Sequence, residues 1–182
     1  LKSRLNKSWQ RKQYFLNVLQ AMNKQEYAAA NEALDKLKDM PAPYQRLALE
    51  IRLEILWHEN QYEKALTLLN SHSDQLPTQW AQLALGKTYL AMHKFGDAIQ
   101  CANKVLALNQ FDPEALDILA QAKSASQQPE EALEDIRRAI KNSPYSLQRQ
   151  ILASRIARDN NDYELHTEAT KATWQLSKNT IF

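Results

Sequence analysis

Residues 79–112 read "QWAQLALGKTYLAMHKFGDAIQCANKVLALNQFD", and this stretch decides the fold of the chain. Apolar residues recur at spacings of three and four in both of its halves, which predicts two consecutive amphipathic helices. Gly86 lies inside the first helix, where glycine costs about 1 kcal/mol relative to alanine. We therefore expect another backbone to approach the chain closely at Gly86.

A short signature recurs along the chain at nearly constant intervals. It is an aromatic residue or proline with alanine three residues later, and its last residues are Ala30, Ala65, Ala98, Ala132 and, with a substitution, His166. Each interval is about 34 residues long, a period typical of helix–turn–helix repeats. We predict that paired helices approach most closely at small residues, because a larger side chain would overpack the crossing. These residues are Gly86, Ala98, Ala120 and Ala132.

Two segments resemble tetratricopeptide (TPR) repeats. They are "LGKTYLAMHKFGDAIQCANKVLALN" at 85–109 and "ALDILAQAKSASQQPEEALEDIRRAIKNSP" at 115–144, with Pro144 at the terminal proline position of the repeat. The resemblance implies an all-α fold, a right-handed solenoid of about five TPR-like helix hairpins. We expect one TPR domain over 1–182, because a single hairpin cannot bury its apolar face alone. Its units follow an N-terminal helical extension at 1–10 and span about 11–45, 46–78, 79–112, 113–146 and 147–182.

The repeat and its punctuation predict ten helices. Asp112-Pro113 and Ser143-Pro144 mark helix boundaries, because proline suits a first helical turn and disfavours helix in the residue before it. His166 departs from the expected alanine, which suits a terminal unit with a polar outer face. The predicted helices are 4–22, 27–38, 44–58, 62–71, 78–92, 95–108, 113–125, 129–141, 146–159 and 162–177.

Composition excludes several classes of protein. Hydrophobic residues make up 44% of the chain and charged residues 24%, as in ordinary globular proteins. The net charge of +2 gives no nucleic-acid-binding footprint, and no apolar run is long enough to predict a membrane span. The single cysteine, Cys101, fits a reducing compartment, so we expect a cytoplasmic protein.

The sequence predicts no enzyme, no metal site and no cofactor. None of the four histidines has a second histidine four residues away, as a zinc-binding helix requires. Two glycines cannot build the glycine-rich loops that bind phosphates or the turn that carries a nucleophilic serine. Acidic pairs such as Glu130-Glu131 lie in a first helical turn, where the helix dipole explains them.

The first helix of each hairpin, here called the A helix, lines the concave face of such a solenoid. We predict that exposed residues of the A helices form a groove that binds another protein or a peptide. Trp57 and Trp80 are candidate anchors, because buried aromatic side chains dominate binding energy at such surfaces; they would equally fill gaps between neighbouring A helices. The predicted groove comprises Leu47, Glu50, Glu54, Trp57, Trp80, Leu83, Lys87, Asp117, Gln121, Arg155 and Arg158, with Phe15, Leu19, Leu90, Glu114 and Ile151 beside them.

One class of TPR partner is disfavoured. Chaperone-binding TPR domains carry a clamp of lysine, asparagine and arginine for a C-terminal carboxylate. The corresponding positions here hold apolar or acidic residues, namely Phe15, Leu19, Glu50 and Glu54. Acidic side chains repel a carboxylate, so the sequence argues against docking of such a peptide.

Residues 143–182 resemble the closing segment of TPR regions that follow a CheY-like receiver domain in bacterial response regulators. The matching elements are Ser143, Pro144, Ser146, Arg149 and Gln150, then Asn160 to Asp162, and Lys178, Thr180, Ile181 and Phe182 at the end. The resemblance implies the output or scaffold part of a two-component response regulator, a phosphorelay protein whose phosphorylated aspartate lies in a receiver outside this chain. The alternative is an assembly or secretion-chaperone TPR scaffold with no receiver.

The first helix suggests self-association. The first twelve residues carry five basic side chains and no acid, a pattern that favours a solvated face over a phosphate site. Leu5, Trp9, Tyr14 and Leu16 lie on the same helix, which makes it too apolar to stand free. We therefore predict a two-fold homodimer through the N-terminal helix.

Overall fold

The structure, a computed structural model, describes residues 2–36, 42–72 and 76–178. Over these ranges the chain forms helices and turns and contains no strand, so the all-α prediction is confirmed. The helix predicted to reach residue 38 ends at Asp35, and residues 37 and 38 lie outside the described ranges. The helices are α1 (Lys2–Asn23), α2 (Tyr27–Asp35), α3 (Ala42–His58), α4 (Tyr62–Ser71), α5 (Thr78–Ala91), α6 (Phe95–Leu108), α7 (Pro113–Ala125), α8 (Pro129–Asn142), α9 (Leu147–Asp159) and α10 (Tyr163–Lys178).

The turns inside the five hairpins share one backbone conformation. Each has a residue in the left-handed region, with φ between 56° and 61°, and these residues are Gln25, Asn60, His93, Gln127 and Asn161. In each turn the next amide bonds a carbonyl five residues back, as Lys94 N–H does to Tyr89 O at 2.9 Å. This is the Schellman closure of a helix, and it recurs at the intervals of the sequence signature.

Side-chain caps begin three of the helices in the second half of the chain. Asp112 Oδ1 accepts a hydrogen bond from the Ala115 amide at 2.9 Å, and Ser146 Oγ accepts one from the Arg149 amide at 3.3 Å. Asp162 Oδ1 caps α10 through the Leu165 amide at 3.0 Å. That backbone hydrogen bond holds the pKa of the Asp162 carboxyl below its ordinary value, and the charge of Arg137 adds to the effect.

The chain divides into two compact units, unit 1 (Leu1–Gln75) and unit 2 (Leu76–Phe182). The core of unit 1 is built from α1, α2 and α3, with Val18, Ala30 and Ile55 fully buried and Leu34 almost so. Unit 2 has one cluster on α6 and α7 and another on α7 to α10. The single domain over 1–182 stays a prediction.

The four small residues predicted at helix contacts are buried. Ala98, Ala120 and Ala132 have no exposed surface, and Gly86 is also buried. The expectation that another backbone approaches Gly86 was wrong, because the nearest atoms belong to side chains. A Cβ built at Gly86 would lie 3.1 Å from Ile118 Cδ1 and 3.5 Å from Cys101 Cβ.

The last hairpin replaces small residues with a polar contact. Ser154 lies one repeat period after Ala120, and His166 lies one repeat period after Ala132. The His166 ring is half-buried, and its Nδ1 lies 2.9 Å from both Ser154 Oγ and the Ser154 carbonyl oxygen. Hydrogen bonds therefore join α9 to α10 at the position where two alanines, Ala120 and Ala132, lie in the preceding hairpin.

Candidate functional site

The A helices of unit 2 form an open cavity of about 360 Å³. A volume of this size lies at the lower end of the range of ligand pockets. Charged and amide side chains dominate its lining, and one hydroxyl and two apolar side chains complete it. The lining residues are Lys87, Glu114, Asp117, Ile118, Gln121, Ser146, Gln148, Arg149 and Leu152.

An ion pair between α7 and α9 lies in the lining of this cavity and is largely buried. Arg149 Nε donates to Asp117 Oδ1 at 2.9 Å, and a terminal guanidinium nitrogen donates to Oδ2 at 2.8 Å. The side chains of Arg149 and Asp117 are only 7% and 18% exposed. The second terminal nitrogen of Arg149 bonds the Ser143 carbonyl oxygen at 3.4 Å. This two-pronged contact fixes the positions of both charges before any partner binds.

Burial shapes the electrostatics of Asp117. Burial raises the pKa of its carboxyl, and the nearby Glu114 charge acts in the same direction. The hydrogen bonds and charge of Arg149 lower the pKa but do not offset burial fully, so the pKa lies above its ordinary value. The polar groups around Asp117 therefore do not fully replace the water that its carboxylate loses on burial.

The rim of the cavity carries weaker contacts. Lys87 Nζ donates to Glu114 Oε2 at 2.6 Å, with both side chains about half exposed. Arg155 donates to Gln121 Oε1 at 3.2 Å across α7 and α9. Exposed ion pairs contribute only about 0–1 kcal/mol, so an incoming polar group can exchange with these contacts at little cost.

The structure brings together part of the predicted groove in unit 2. Lys87, Asp117 and Gln121 line the cavity, and Arg155 reaches it through Gln121. Leu83 and Leu90 instead pack against the core on α6 and α7. Arg158 bonds Asp159 on its own helix at 3.1 Å, and Trp80 is half-buried on α5.

Arg149 is the main residue that the sequence prediction missed, together with Ser146, Gln148 and Leu152. The repeat period contains a signal for it. Counting back in whole repeat periods, the positions equivalent to Arg149 are Ala115 and Ala81, which are both buried. An arginine at a repeat position that otherwise holds buried alanine needs an acidic partner nearby, which Asp117 supplies.

The predicted groove residues of unit 1 lie in a different environment. Leu47 is 42% exposed, and the ring of Phe15 on α1 lies 5.7 Å from that of Tyr44 on α3. Glu50 pairs with Arg46 at 2.9 Å within α3. Glu54 is exposed and Trp57 is half-buried on the same helix. A groove that continues through all the A helices stays a prediction.

The Ser154–His166 pair has the residue types of a nucleophile and its base, but its geometry is structural. Nδ1 of His166 also lies 2.9 Å from the Ser154 carbonyl oxygen, which can only accept a hydrogen bond. A proton on Nδ1 satisfies that contact and leaves no lone pair there to deprotonate Ser154 Oγ. The described residues also contain no group of three or more histidine, cysteine, aspartate or glutamate side chains arranged to hold a metal ion.

Among the residues that the structure describes, no helix combines the length and the apolar character that a bilayer crossing demands.

Comparison with known proteins gives the same fold. The family described as tetratricopeptide repeat matches residues 83–146. No curated protein sequence matches the chain.

Three solved structures are similar over nearly the full length of the chain. A MamA RS-1 double mutant is 16% identical, with a TM-score of 0.65 over 93% of this chain and 96% of that one. MamA from Desulfovibrio magneticus RS-1 is 18% identical, with a TM-score of 0.63 over 94% and 97%. A Podosopora anserina protein described by its nearly identical TPR-like repeats and named for the kinesin light chain is 17% identical, with a TM-score of 0.63 over 94% and 96%. Residues 83–146 therefore match the tetratricopeptide repeat family, and the chain has a TPR-like helical fold.

Proposed function

We propose that the chain is a non-enzymatic protein-interaction scaffold and that the cavity on α5, α7 and α9 holds an extended segment of a partner protein. The observation that carries this proposal is the Arg149–Asp117 pair, which is largely buried yet lines a cavity open to solvent. Such a pair is held rigidly, so it offers a partner prepositioned donors and acceptors at low entropic cost.

The chemistry around the pair favours a polar segment with alternating donors and acceptors. Lys87 and Arg149 balance Glu114 and Asp117 in formal charge. The Gln121 and Gln148 amides add groups that both donate and accept hydrogen bonds. An extended main chain offers N–H and C=O groups in alternation and matches this lining better than a lone carboxylate or ammonium group does.

Selection of peptides from a displayed library against the chain tests the proposal. Gln148 is exposed, so Gln148→Trp fills the cavity without disturbing the core. We expect the selected peptides to lose at least about tenfold in affinity for this variant, or about 1.4 kcal/mol. The matched control is Gln100→Trp on α6, which is also exposed and should bind as the wild type does. Equal affinity for wild type and Gln148→Trp would place binding elsewhere.

The resemblance of residues 143–182 supports a finer role as the output part of a two-component response regulator. Residues 179–182, which contain part of that resemblance, lie outside the described ranges. The alternative, an assembly or secretion-chaperone scaffold, is compatible with the same cavity. Peptide binding by the full-length protein before and after treatment with a small phosphodonor distinguishes the two. A response regulator should change its affinity on phosphorylation, and a scaffold without a receiver should not.

The single TPR domain, the complete groove from Leu47 to Arg158 and the cytoplasmic location are part of this proposal. Their support is the repeat period of about 34 residues, the A-helix positions of the groove residues and the single buried cysteine.

A further inference from the structure

Helix α1 carries an apolar stripe on the side that faces away from the core of unit 1. Leu16 and Leu19 belong to this stripe and are 50% and 53% exposed, whereas Val18 between them is fully buried. A helix advances about 100° per residue, so Leu16 lies roughly 160° around α1 from Val18. The stripe is therefore left out of the packing that buries Val18.

Helical spacing extends the stripe towards the start of α1. Counting back from Leu19 in steps of three, four, three and four gives positions 16, 12, 9 and 5. Leucine or tryptophan occupies each of these positions except the central one, which holds Lys12. Alternating steps of three and four are the spacing of a coiled-coil seam.

The partner helix of α1 within its own hairpin is too short to run along the whole of α1. α1 has 22 residues, whereas its partner helix α2 has nine. At about 1.5 Å per residue, α2 is less than half as long as α1. A second helix of similar length, with the same spacing of apolar residues, could pack along the apolar stripe of α1. Helix α1 of another copy of the chain has this length and this spacing.

The charges along α1 determine the orientation of such a pair. Residues 2–12 carry five basic side chains and no acid, and residues 13–23 carry no charge at all. A parallel pair would place the two basic halves side by side, which is repulsive. An antiparallel pair places each basic half beside the uncharged half of the other copy, at the negative end of its helix dipole.

We propose that two copies of this chain associate through α1 as an antiparallel, two-fold symmetric helix pair. Position 5 then lies opposite position 19, position 12 lies opposite itself, and position 9 lies within one residue of the point opposite position 16. Lys12 meets its own copy at the symmetry axis, as in coiled coils where one charged residue in the seam weakens pairing and fixes its register. The proposal is independent of the cavity on unit 2.

Sedimentation of the full chain over a range of concentrations tests the association. Leu16→Glu combined with Leu19→Glu should raise the dimer dissociation constant at least about tenfold, because both residues lie in the seam. Lys12→Leu should lower it by a similar factor. The control is Leu108→Glu on α6, where the side chain is 67% exposed, and it should not change the constant. A wild-type chain that stays monomeric at every concentration would overturn the proposal.

Cysteine cross-linking tests the orientation separately. Cys101 is 5% exposed, so it can stay in place, and the wild type serves as the control for its reactivity. Lys12→Cys should form a covalent dimer under mild oxidation, and so should an equal mixture of Leu5→Cys and Leu19→Cys chains. Leu5→Cys alone should not, since antiparallel pairing separates the two position-5 residues by about 14 rises of 1.5 Å. Efficient dimerisation of Leu5→Cys alone, or none of Lys12→Cys, contradicts the antiparallel arrangement.

Discussion

Successive A helices contact each other through an aromatic pair in unit 1 and through an ion pair in unit 2. Phe15 in unit 1 and Asp117 in unit 2 lie at equivalent repeat positions, three repeat periods apart. Phe15 contacts the ring of Tyr44 on the next A helix, whereas Asp117 forms its ion pair with Arg149 on the next A helix. Tyr44 and Arg149 are not equivalent positions, so the two equivalent residues contact the next A helix at different places, one through an apolar contact and the other through an ion pair.

This difference determines how each face responds to its environment. Apolar contacts depend little on salt and tolerate truncation gradually. A buried ion pair contributes little net stability when intact, but removal of one partner strands the other charge. We therefore expect the face of unit 2 to be the more vulnerable to single substitutions.

The largest effect is expected for Arg149→Ala. This change leaves the Asp117 carboxylate buried without its partner, which should lower the free energy of unfolding by about 3–5 kcal/mol. Urea denaturation followed by circular dichroism measures the loss. Arg155→Ala, which removes an exposed arginine from the same helix, should change stability by only about 0.5 kcal/mol.

A double substitution separates the charge effect from packing. Arg149→Met with Asp117→Leu should recover most of the stability lost in Arg149→Ala, because two apolar side chains replace the pair. A double variant no more stable than Arg149→Ala would show that the hydrogen-bond geometry, rather than the stranded charge, governs this face.

In unit 1 we expect a smaller effect from Tyr44→Ala. The substitution removes the ring contact with Phe15 from a side chain that is 41% exposed, and it should cost about 1–2 kcal/mol. The loss should be the same in low and high salt when hydrogen exchange of unit 1 amides is measured. Tyr145→Ala, at a side chain that is 85% exposed, is the matched control and should have almost no effect.

The acids of unit 2 should show opposite pH dependences. Burial raises the pKa of Asp117, so the contribution of this group to stability falls as the pH rises from its ordinary pKa through the raised one. The amide of Leu165 lowers the pKa of Asp162, so that contribution is present above the ordinary pKa and is lost as the pH falls through the lowered one. Urea denaturation between about pH 3 and 6 should therefore show a steeper rise of stability with pH for Asp117→Asn and a shallower rise for Asp162→Asn than for the wild type. A steeper rise for both variants would contradict this assignment.

The smallest effect is expected for Lys87→Ala at the cavity rim. The Lys87–Glu114 pair is about half exposed, so its removal should change the free energy of unfolding by no more than about 1 kcal/mol. The difference from wild type should shrink as salt is added, because exposed charges are screened. A loss as large as that of Arg149→Ala would mean that the rim, too, is effectively buried.

The helices and their register could be predicted from the sequence because they follow from local spacing. The period of about 34 residues located the hairpins, and it placed Lys87, Asp117 and Gln121 on neighbouring A helices. The prediction that a backbone approaches Gly86 was wrong. A small residue indicates that another group lies close to it, but it does not indicate whether that group is backbone or a side chain such as Ile118.

The rest of the candidate site depends on contacts between residues far apart in sequence. Arg149 bonds Asp117 across 32 residues, and its repeat position indicates that it needs an acidic partner without indicating which acid that partner is. The Ser154–His166 contact likewise arises because polar residues replace alanine at two positions that face each other. Local periodicity assigns such residues to helices, but it does not predict which side chains on different helices contact each other.

The left-handed residues in the five hairpin turns have a consequence for how the chain can vary. All five are exposed, and none is glycine, although glycine adopts this conformation without the roughly 1–2 kcal/mol penalty of other L-residues. In repeat proteins each hairpin interacts mainly with its neighbours, so relieving one such penalty would strengthen its own part of the array. Substitution of these turn residues, for example by glycine, therefore offers five separate ways to change the local stability of the chain. None of the five positions lies on the exposed faces of the A helices.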